Sequence, residues 1–252
     1  GGVVDLLTKV NNGIGGSTSI AYRPSTAYTN TYLPMVVQTV AVIAVNDGNG
    51  NTSTNVYSYS GGLYDKAERE YRGFAEVTAT NAIGTNTVAK YHQDSVYKGM
   101  PYEQIVKDSS GNIYSRTYNT YDNATVAAGV VFPYLKQKDD YLCDGTGTCR
   151  QSAAGFTYDA YGNVTRKYTH GDVSITGVER DEYIEYQYDT AKWLVSLPTT
   201  TYVKDSGGAI RSQGWSTYDT KGNVLTKTAW LSGGTNPVVT YTYDSFGNQK
   251  TI

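Results

Sequence analysis

Tyr158-Asp159-Ala160-Tyr161-Gly162-Asn163-Val164 is a short sentence that this chain uses three times. It returns as Tyr218-Asp219-Thr220-Lys221-Gly222-Asn223-Val224 and as Tyr243-Asp244-Ser245-Phe246-Gly247-Asn248-Gln249. A fourth copy, Tyr188-Asp189, keeps the opening pair and lacks the Gly-Asn half. The four tyrosines are 30, 30 and 25 residues apart, the kind of spacing at which one supersecondary unit stacks on the next because none buries its apolar face alone. Within each copy the residue types spell a turn. Tyr ends an extended run on a half-buried pleated surface. Asp accepts hydrogen bonds from backbone N–H groups just ahead of it. Gly supplies the positive φ on which such a turn closes. Asn tolerates the irregular backbone beside it, and Val restarts the strand. Each copy is therefore read as a β-hairpin tip, with a bulge after the turn as an option.

Outward from the repeats, turns and short extended runs alternate through the whole chain. Asp205-Ser206-Gly207-Gly208 sits inside a further hairpin, and Asp108-Ser109-Ser110-Gly111-Asn112 is a repeat turn without its tyrosine. Asn81-Ala82-Ile83-Gly84 separates two more runs. Residues 35–45 are the most apolar run, rich in β-branched side chains, and read as a buried strand. That strand returns through Asp47-Gly48-Asn49-Gly50-Asn51 to residues 52–60. Residues 17–22 are a strand candidate, and 3–10 alternate only loosely. Pro24 to Pro34 is expected to be loop, and 130–135 a short strand broken by Pro133. In 61–73 a short helix competes with a charged loop. Asp47, Asn49 and Asn51 also take the first, third and fifth places of a calcium loop, but Thr52 and Ser58 stand where that loop needs Gly and Glu. The expected fold class is all-β, built of antiparallel β-hairpin repeats that form a curved sheet or a segment of shell. Three segments are expected: a pre-repeat β region over 1–124, a variable insertion over 125–155, and the repeats over 156–252.

Composition narrows the function. The 252 residues include 25 Tyr against 4 Phe and 3 Trp, and hydrophobic residues make up 39%. Mean hydropathy is −0.45, which suits a sheet that wets one face or lines a cavity. The net charge of −2 leaves no basic field to gather phosphates, so nucleic acid is not an expected partner. No apolar run is long enough to span a bilayer as a helix. The opening Gly-Gly-Val-Val-Asp resembles neither a signal peptide nor a natural start, so the chain is expected to be a piece of something longer.

Catalytic candidates are sparse. There are two His, His92 and His170. No Gly-x-Ser-x-Gly elbow accompanies them. His92 is expected to make a structural hydrogen bond, and His170, before Gly171, to be solvated in a turn. The runs Glu179-Arg180-Asp181-Glu182 and Lys138-Asp139-Asp140 read as solvated faces. Trp193, Trp215 and Trp230 are either core residues or sugar-stacking platforms. Cys143 and Cys149 bracket a short Gly-containing loop. In an oxidising compartment they read as a hairpin-tip disulfide, with free thiols next and a metal site far behind. No catalytic, metal or cofactor site is assigned, and the chain is not expected to be an enzyme.

The repeated Y-D-x-x-G-N-x along a Tyr- and Thr-rich chain resembles the YD repeats of the RHS family. That family includes bacterial polymorphic toxins, the B and C components of insecticidal toxin complexes, wall-associated bacterial proteins and animal teneurins. Asp5-Leu6-Leu7-Thr8-Lys9-Val10-Asn11-Asn12-Gly13-Ile14-Gly15-Gly16 with Ser19-Ile20-Ala21-Tyr22 resembles the region just before the repeats in TcdB/SpvB-type B components. So do Glu70-Tyr71-Arg72-Gly73-Phe74-Ala75-Glu76-Val77, Tyr91-His92-Gln93-Asp94, and Lys98-Gly99-Met100-Pro101-Tyr102-Glu103. From about residue 125 to 154 the likeness fades, and Cys143 and Cys149 have no clear counterpart. The Asp-Pro-x-Gly type signature of the family's self-cleaving core is missing from this stretch. The resemblance implies a secreted or cell-surface protein whose repeats spiral as a β-sheet shell around a toxic polypeptide. Its partners would be other segments of that shell, a second toxin-complex component and the enclosed polypeptide. Self-association through sheet edges is a further expectation. The competing expectation is an extracellular recognition module for glycan or protein, to be told apart by where the aromatic side chains point.

Overall fold

A computed structural model describes residues 5–252; the first four residues, including the start of the loosely alternating 3–10 stretch and of the expected pre-repeat region, lie outside the described residues. Among the described residues almost every regular element is a strand, and the one helical piece is a single 3-10 turn at Ser25–Ala27. The all-β, antiparallel expectation holds. Two compact units share the chain. One runs to Tyr121 and takes in Asp140–Arg150; the other comprises Asp122–Asp139 and Gln151–Ile252. The stretch expected as an insertion thus divides between them.

The strands from the first unit onward are β1 (Lys9–Asn11), β2 (Ser17–Pro24), β3 (Asn30–Tyr32), β4 (Gln38–Asn46), β5 (Thr52–Ser60), β6 (Gly62–Asp65), β7 (Glu70–Tyr71), β8 (Glu76–Thr80), β9 (Asn86–Tyr91), β10 (Pro101–Lys107) and β11 (Ile113–Ala127). The main order is β1-β2-β4-β5-β8-β9-β10-β11, and β3-β6-β7 form a small separate sheet in which β3 and β6 run parallel. The core is small. Phe74 stands at 4.9 Å from the Tyr59 ring, 6.3 Å from Tyr71 and 6.4 Å from Tyr28. Ala41, Val88 and Ile105 are buried with it, as are the polar Ser25, Thr39, Arg72 and Glu103.

Four expectations fail here for physical reasons. Pro24 to Pro34 is loop only in part: it holds the 3-10 turn Ser25–Ala27 and β3, tied by the Ser25 hydroxyl accepting the Val37 N–H at 3.0 Å and by Asn30 donating to the Ser25 and Tyr28 carbonyls. The apolar strand starts at Gln38, leaving Met35 and Val36 exposed. Residues 61–73 form no helix but the β6–β7 hairpin, whose turn is closed by Asp65 accepting from the N–H groups of Ala67 and Glu68. Pro133 does not break its strand, because its fixed φ suits extended backbone and only a ladder donor is lost.

That strand is β12 (Val130–Cys143). It is followed by β13 (Cys149–Tyr158), β14 (Val164–His170), β15 (Arg180–Asp189), β16 (Leu194–Asp205), β17 (Ile210–Tyr218), β18 (Val224–Ala229), β19 (Val238–Thr240), β20 (Thr242–Tyr243) and β21 (Gln249–Thr251). From β13 to β19 each strand pairs antiparallel with the next, and β20 pairs with β21. None of the residues 151–252 is buried. The acidic runs are not free faces. Arg166 grips Asp181 through two bonds of 2.7 and 2.9 Å, Asp139 accepts from Gln137 and Gln151, and Thr117 donates to Asp140. His170 is half-buried, with its Nε2 at 3.2 Å from the Ile175 carbonyl and 3.4 Å from Glu179, rather than solvated.

Candidate functional site: the hairpin-tip row

Each YD copy is a local device. In the first, the Asp159 N–H donates to the Asn163 carbonyl at 3.0 Å, and the Gly162 N–H returns to the Asp159 carbonyl at 3.2 Å. Asp159 Oδ1 accepts from the N–H groups of Tyr161 and Asn163, and Oδ2 from the Asn163 side chain at 2.8 Å. Asp219 with Asn223 and Asp244 with Asn248 repeat every one of these contacts. Gly162, Gly222 and Gly247 have φ of +87°, +88° and +90°, the left-handed region that an added Cβ penalises. A register shift follows at Thr157/Tyr158, Thr217/Tyr218 and Thr242/Tyr243, so each copy carries a bulge. The carboxyls of Asp219 and Asp244 are held below the ordinary range chiefly by the Asn side chain. For Asp159 burial pulls upward, but bonds from Asn163, Tyr188 and the backbone outweigh it.

The same five-residue turn occurs six more times than the YD sentence reveals. It opens at Asn12, Asn81, Asp108 and Asp205 with a closing bond of 3.0 Å, and at Asp47 and Asp144 with one of 3.1 Å. Asp47 gives Oδ1 to the N–H groups of Asn49 and Asn51 and Oδ2 to the Asn51 side chain, so the residues that also fit a calcium loop make a hairpin turn. The signal that finds every copy is Asp or Asn followed three places later by Gly; the tyrosine is an addition confined to some of them.

Two of the YD tyrosines add a link to the preceding strand, the hydroxyl of Tyr158 donating to the Leu135 carbonyl and that of Tyr218 to Pro198; Tyr186, two places before Tyr188, donates in the same way to Val164, over 2.8–3.1 Å. Tip also binds tip along one edge of the second unit. Tyr188 donates to Asp159 Oδ2 at 2.7 Å, Lys192 to the Thr220 carbonyl and Lys221 to the Ser245 carbonyl, both at 2.8 Å. The bond to Asp159 pushes the Tyr188 hydroxyl up to about 12. Tyr188-Asp189 therefore keeps a place in the row although its own turn differs. Its single left-handed residue is Trp193, at φ +57°.

Three of the segments quoted for the pre-repeat resemblance, 70–77, 91–94 and 98–103, lie together inside the first unit. Gln93 donates to the carbonyls of Gly61 and Gly73, and Arg72 to that of Asp94. Arg72 also pairs with Glu70 at 3.1 Å, and Glu70 with Lys98 at 2.6 Å. Buried Glu103 faces Lys90 at 2.7 Å and Arg116 at 3.3 Å. His92 lies among the rings of Tyr97, Tyr102 and Tyr121 with Asp94 at 3.5 Å. Each of these groups joins parts of the fold to one another. Cys143 and Cys149 are joined as a disulfide across the β12–β13 turn. In the second unit a cavity of about 550 Å³ is walled by Phe132, Tyr134, Phe156 and Tyr158, with the Lys136–Asp122 pair among its lining residues. Among the described residues no cluster of three or more His, Cys, Asp or Glu has the arrangement of a metal site.

Comparison with known proteins accords with this picture. The family described as "Insecticide toxin TcdB middle/N-terminal region" matches residues 2–104, so the likeness to the middle region of toxin-complex B components is real over that stretch. No curated protein matches the chain. Among solved structures, TcdB2-TccC3 superposes with a TM-score of 0.69 at 14% identity. The Photorhabdus luminescens Tc holotoxin pore superposes with a TM-score of 0.71, also at 14% identity. Each match covers 89% of this chain and 18% of the other. The fold is shared, and this chain spans under a fifth of the length of those it matches.

Proposed function

We propose that this chain is a wall segment of a secreted toxin-complex component, a B-component-like shell that encloses a toxic polypeptide and assembles with a second component. The observation that carries the reading is the second unit. None of the residues 151–252 is fully buried, yet the YD tips along one edge are each tied to a neighbour. A sheet that keeps both faces accessible is a wall element, stabilised laterally by neighbouring hairpins rather than by a core beneath it. The family match over 2–104 and the shared fold with TcdB2-TccC3 support the same role. The two histidines hold structure, in keeping with a scaffold rather than a catalyst.

The test is protection. The intact protein is co-expressed with a second toxin-complex component that carries a protease-sensitive passenger, and the purified complex is digested. A passenger that survives in the complex and is cut once the complex is denatured supports the role. Digestion at the free rate, or no co-purification, overturns it.

A further inference from the structure

The cavity bordered by β11, β12 and β13 measures about 550 Å³, within the size range of small-ligand sites. Four aromatic side chains line it: Phe132, Tyr134, Phe156 and Tyr158. Tyr134 and Tyr158 stand 5.0 Å apart at 46°, Phe132 and Tyr158 6.3 Å at 75°, and Phe132 and Tyr134 6.0 Å at 30°. Rings already in contact leave no slot between them for a flat ligand. Inclined to one another around one space, they present π faces to it from several directions, as a cage does for a cation. The Tyr158 ring is fixed in place by its hydroxyl, which donates to the Leu135 carbonyl at 2.9 Å.

Charge selects the ligand. The charged residues of the lining are Asp122, Asp159 and Lys136, so the fixed charge around the space is negative. Asp159 is held as the anion by four donors: the N–H groups of Tyr161 and Asn163, the Asn163 side chain and the Tyr188 hydroxyl. Asp122 accepts from the Asn123 N–H at 2.8 Å and from Lys136 at 2.9 Å. With those acceptors engaged, a primary ammonium would leave water and find few partners for its three N–H groups. A quaternary ammonium has no N–H to satisfy. It needs only negative charge and π faces, and the cavity supplies both.

The surroundings suit a choline head group carried by a lipid. From Asn123 to Leu135 the β11–β12 hairpin has no charged residue, and its Val126, Val130 and Val131 are 49%, 52% and 41% exposed. Val126 also belongs to the cavity lining, so exposed apolar surface runs from the hairpin tip to the cavity. The Lys136–Asp122 pair closes the base of this uncharged stretch. We infer that Phe132, Tyr134 and Tyr158, with the Asp122 carboxylate, form a binding site for a choline-type quaternary ammonium group. Lys136 is placed to meet the phosphate that follows it in phosphocholine. The site does not depend on the shell reading, because it rests on this cavity and hairpin alone.

The test titrates the intact protein calorimetrically with phosphocholine and with phosphoethanolamine, which lacks the N-methyl groups, and sediments it with vesicles of dioleoyl phosphatidylcholine. Phosphocholine is expected to bind at least about tenfold more tightly than phosphoethanolamine. Tyr134→Leu is expected to weaken binding at least about fivefold, and Tyr134→Phe, which keeps the ring, to bind as wild type. Asp122→Asn, at the exposed rim, is expected to weaken binding about threefold, and it decides the matter if Tyr134→Leu does not fold. A wild type that gives no heat with phosphocholine and does not sediment with the vesicles overturns the site. Equal binding of the two head groups does so too, as does a folded Tyr134→Leu or an Asp122→Asn that binds as wild type. Val130→Asp separates the sources. Vesicle binding lost while phosphocholine binding is kept assigns the site to a lipid surface, and both kept assigns it to a soluble choline ester; either result upholds the site.

Discussion

In the first unit Ala41, Phe74, Val88 and Ile105 are out of water, with Arg72 and Glu103 among them; in the second, from residue 151 to the end, no residue is. Both are mainly antiparallel sheets with the same Asx-closed turns, so the difference does not lie in the kind of secondary structure. The first unit gathers side chains from strands far apart in sequence, as when Gln93 bonds to Gly61. The second distributes its stability over many equivalent local contacts. Stability concentrated in a core is sensitive to single deletions, whereas a ladder loses little at a time.

The largest effect should therefore come from Phe74→Ala, at about 3–5 kcal/mol, read by urea unfolding and by loss of amide protection in β5 and β8. If it costs under about 1 kcal/mol, the contrast between the units collapses. Next is Glu103→Gln, which leaves Lys90 and Arg116 without their carboxylate and should cost about 2 kcal/mol by the same measurement. In the ladder, Gly222→Ala should cost about 1–2 kcal/mol for the left-handed backbone. Gly162→Ala should cost more, since its Cβ would come within 2.9 Å of the Phe132 ring while that of Gly222 meets only ordinary contacts. Equal costs at the two glycines would show that the Phe132 contact carries no weight.

Smaller effects depend on pH. The turn carboxylates of Asp47, Asp108, Asp219 and Asp244 are depressed, foremost by the facing Asn side chain. A depressed carboxylate contributes stability that is present above its unfolded value and is lost as pH falls through the folded one. The tips should thus hold their amide protection down to about pH 4 and lose it below, and Asn223→Ala should remove part of that dependence at its own tip. Protection unchanged well below pH 4 would separate closure from the carboxylates. At the other extreme Tyr188 is raised to about 12, first by its bond to Asp159. The hydroxyl's contribution is complete below the unfolded value near 10 and disappears as pH rises towards 12. Tyr188→Phe should remove that alkaline step from a thermal-stability profile, and a step that survives the change assigns it to other tyrosines.

Much of the ladder was legible in advance. Asp159, Asp219 and Asp244 sit where the repeat places them, and the hairpins at Asp108 and Asp205 follow from the same logic. The turns at Asn12 and Asp144 lack both the tyrosine and the closing Asn, so only the shorter pattern, Asp or Asn with Gly three places on, finds them. Legibility failed where a contact crosses the fold. Residues 61–73 read by composition as a short helix or a charged loop, whereas they form a hairpin in which Asp65 closes the turn and Arg72 is drawn into the interior beside Glu70 and Asp94. His170 looks solvated until Ile175 and Glu179 fold back over it. Of the three tryptophans, nothing in the order of residues singles out Trp193 as the most exposed.

The sequence by itself determined where this chain turns, because an Asp or Asn that bonds the next four residues, with a Gly free to take positive φ, needs no partner from elsewhere. Only the tertiary structure decided which side chains share a core, which tips bond to which, and which rings stay in water. Those outcomes depend on pairings between residues some twenty to thirty positions apart, whose free energy belongs to the assembled sheet and to no single stretch of it.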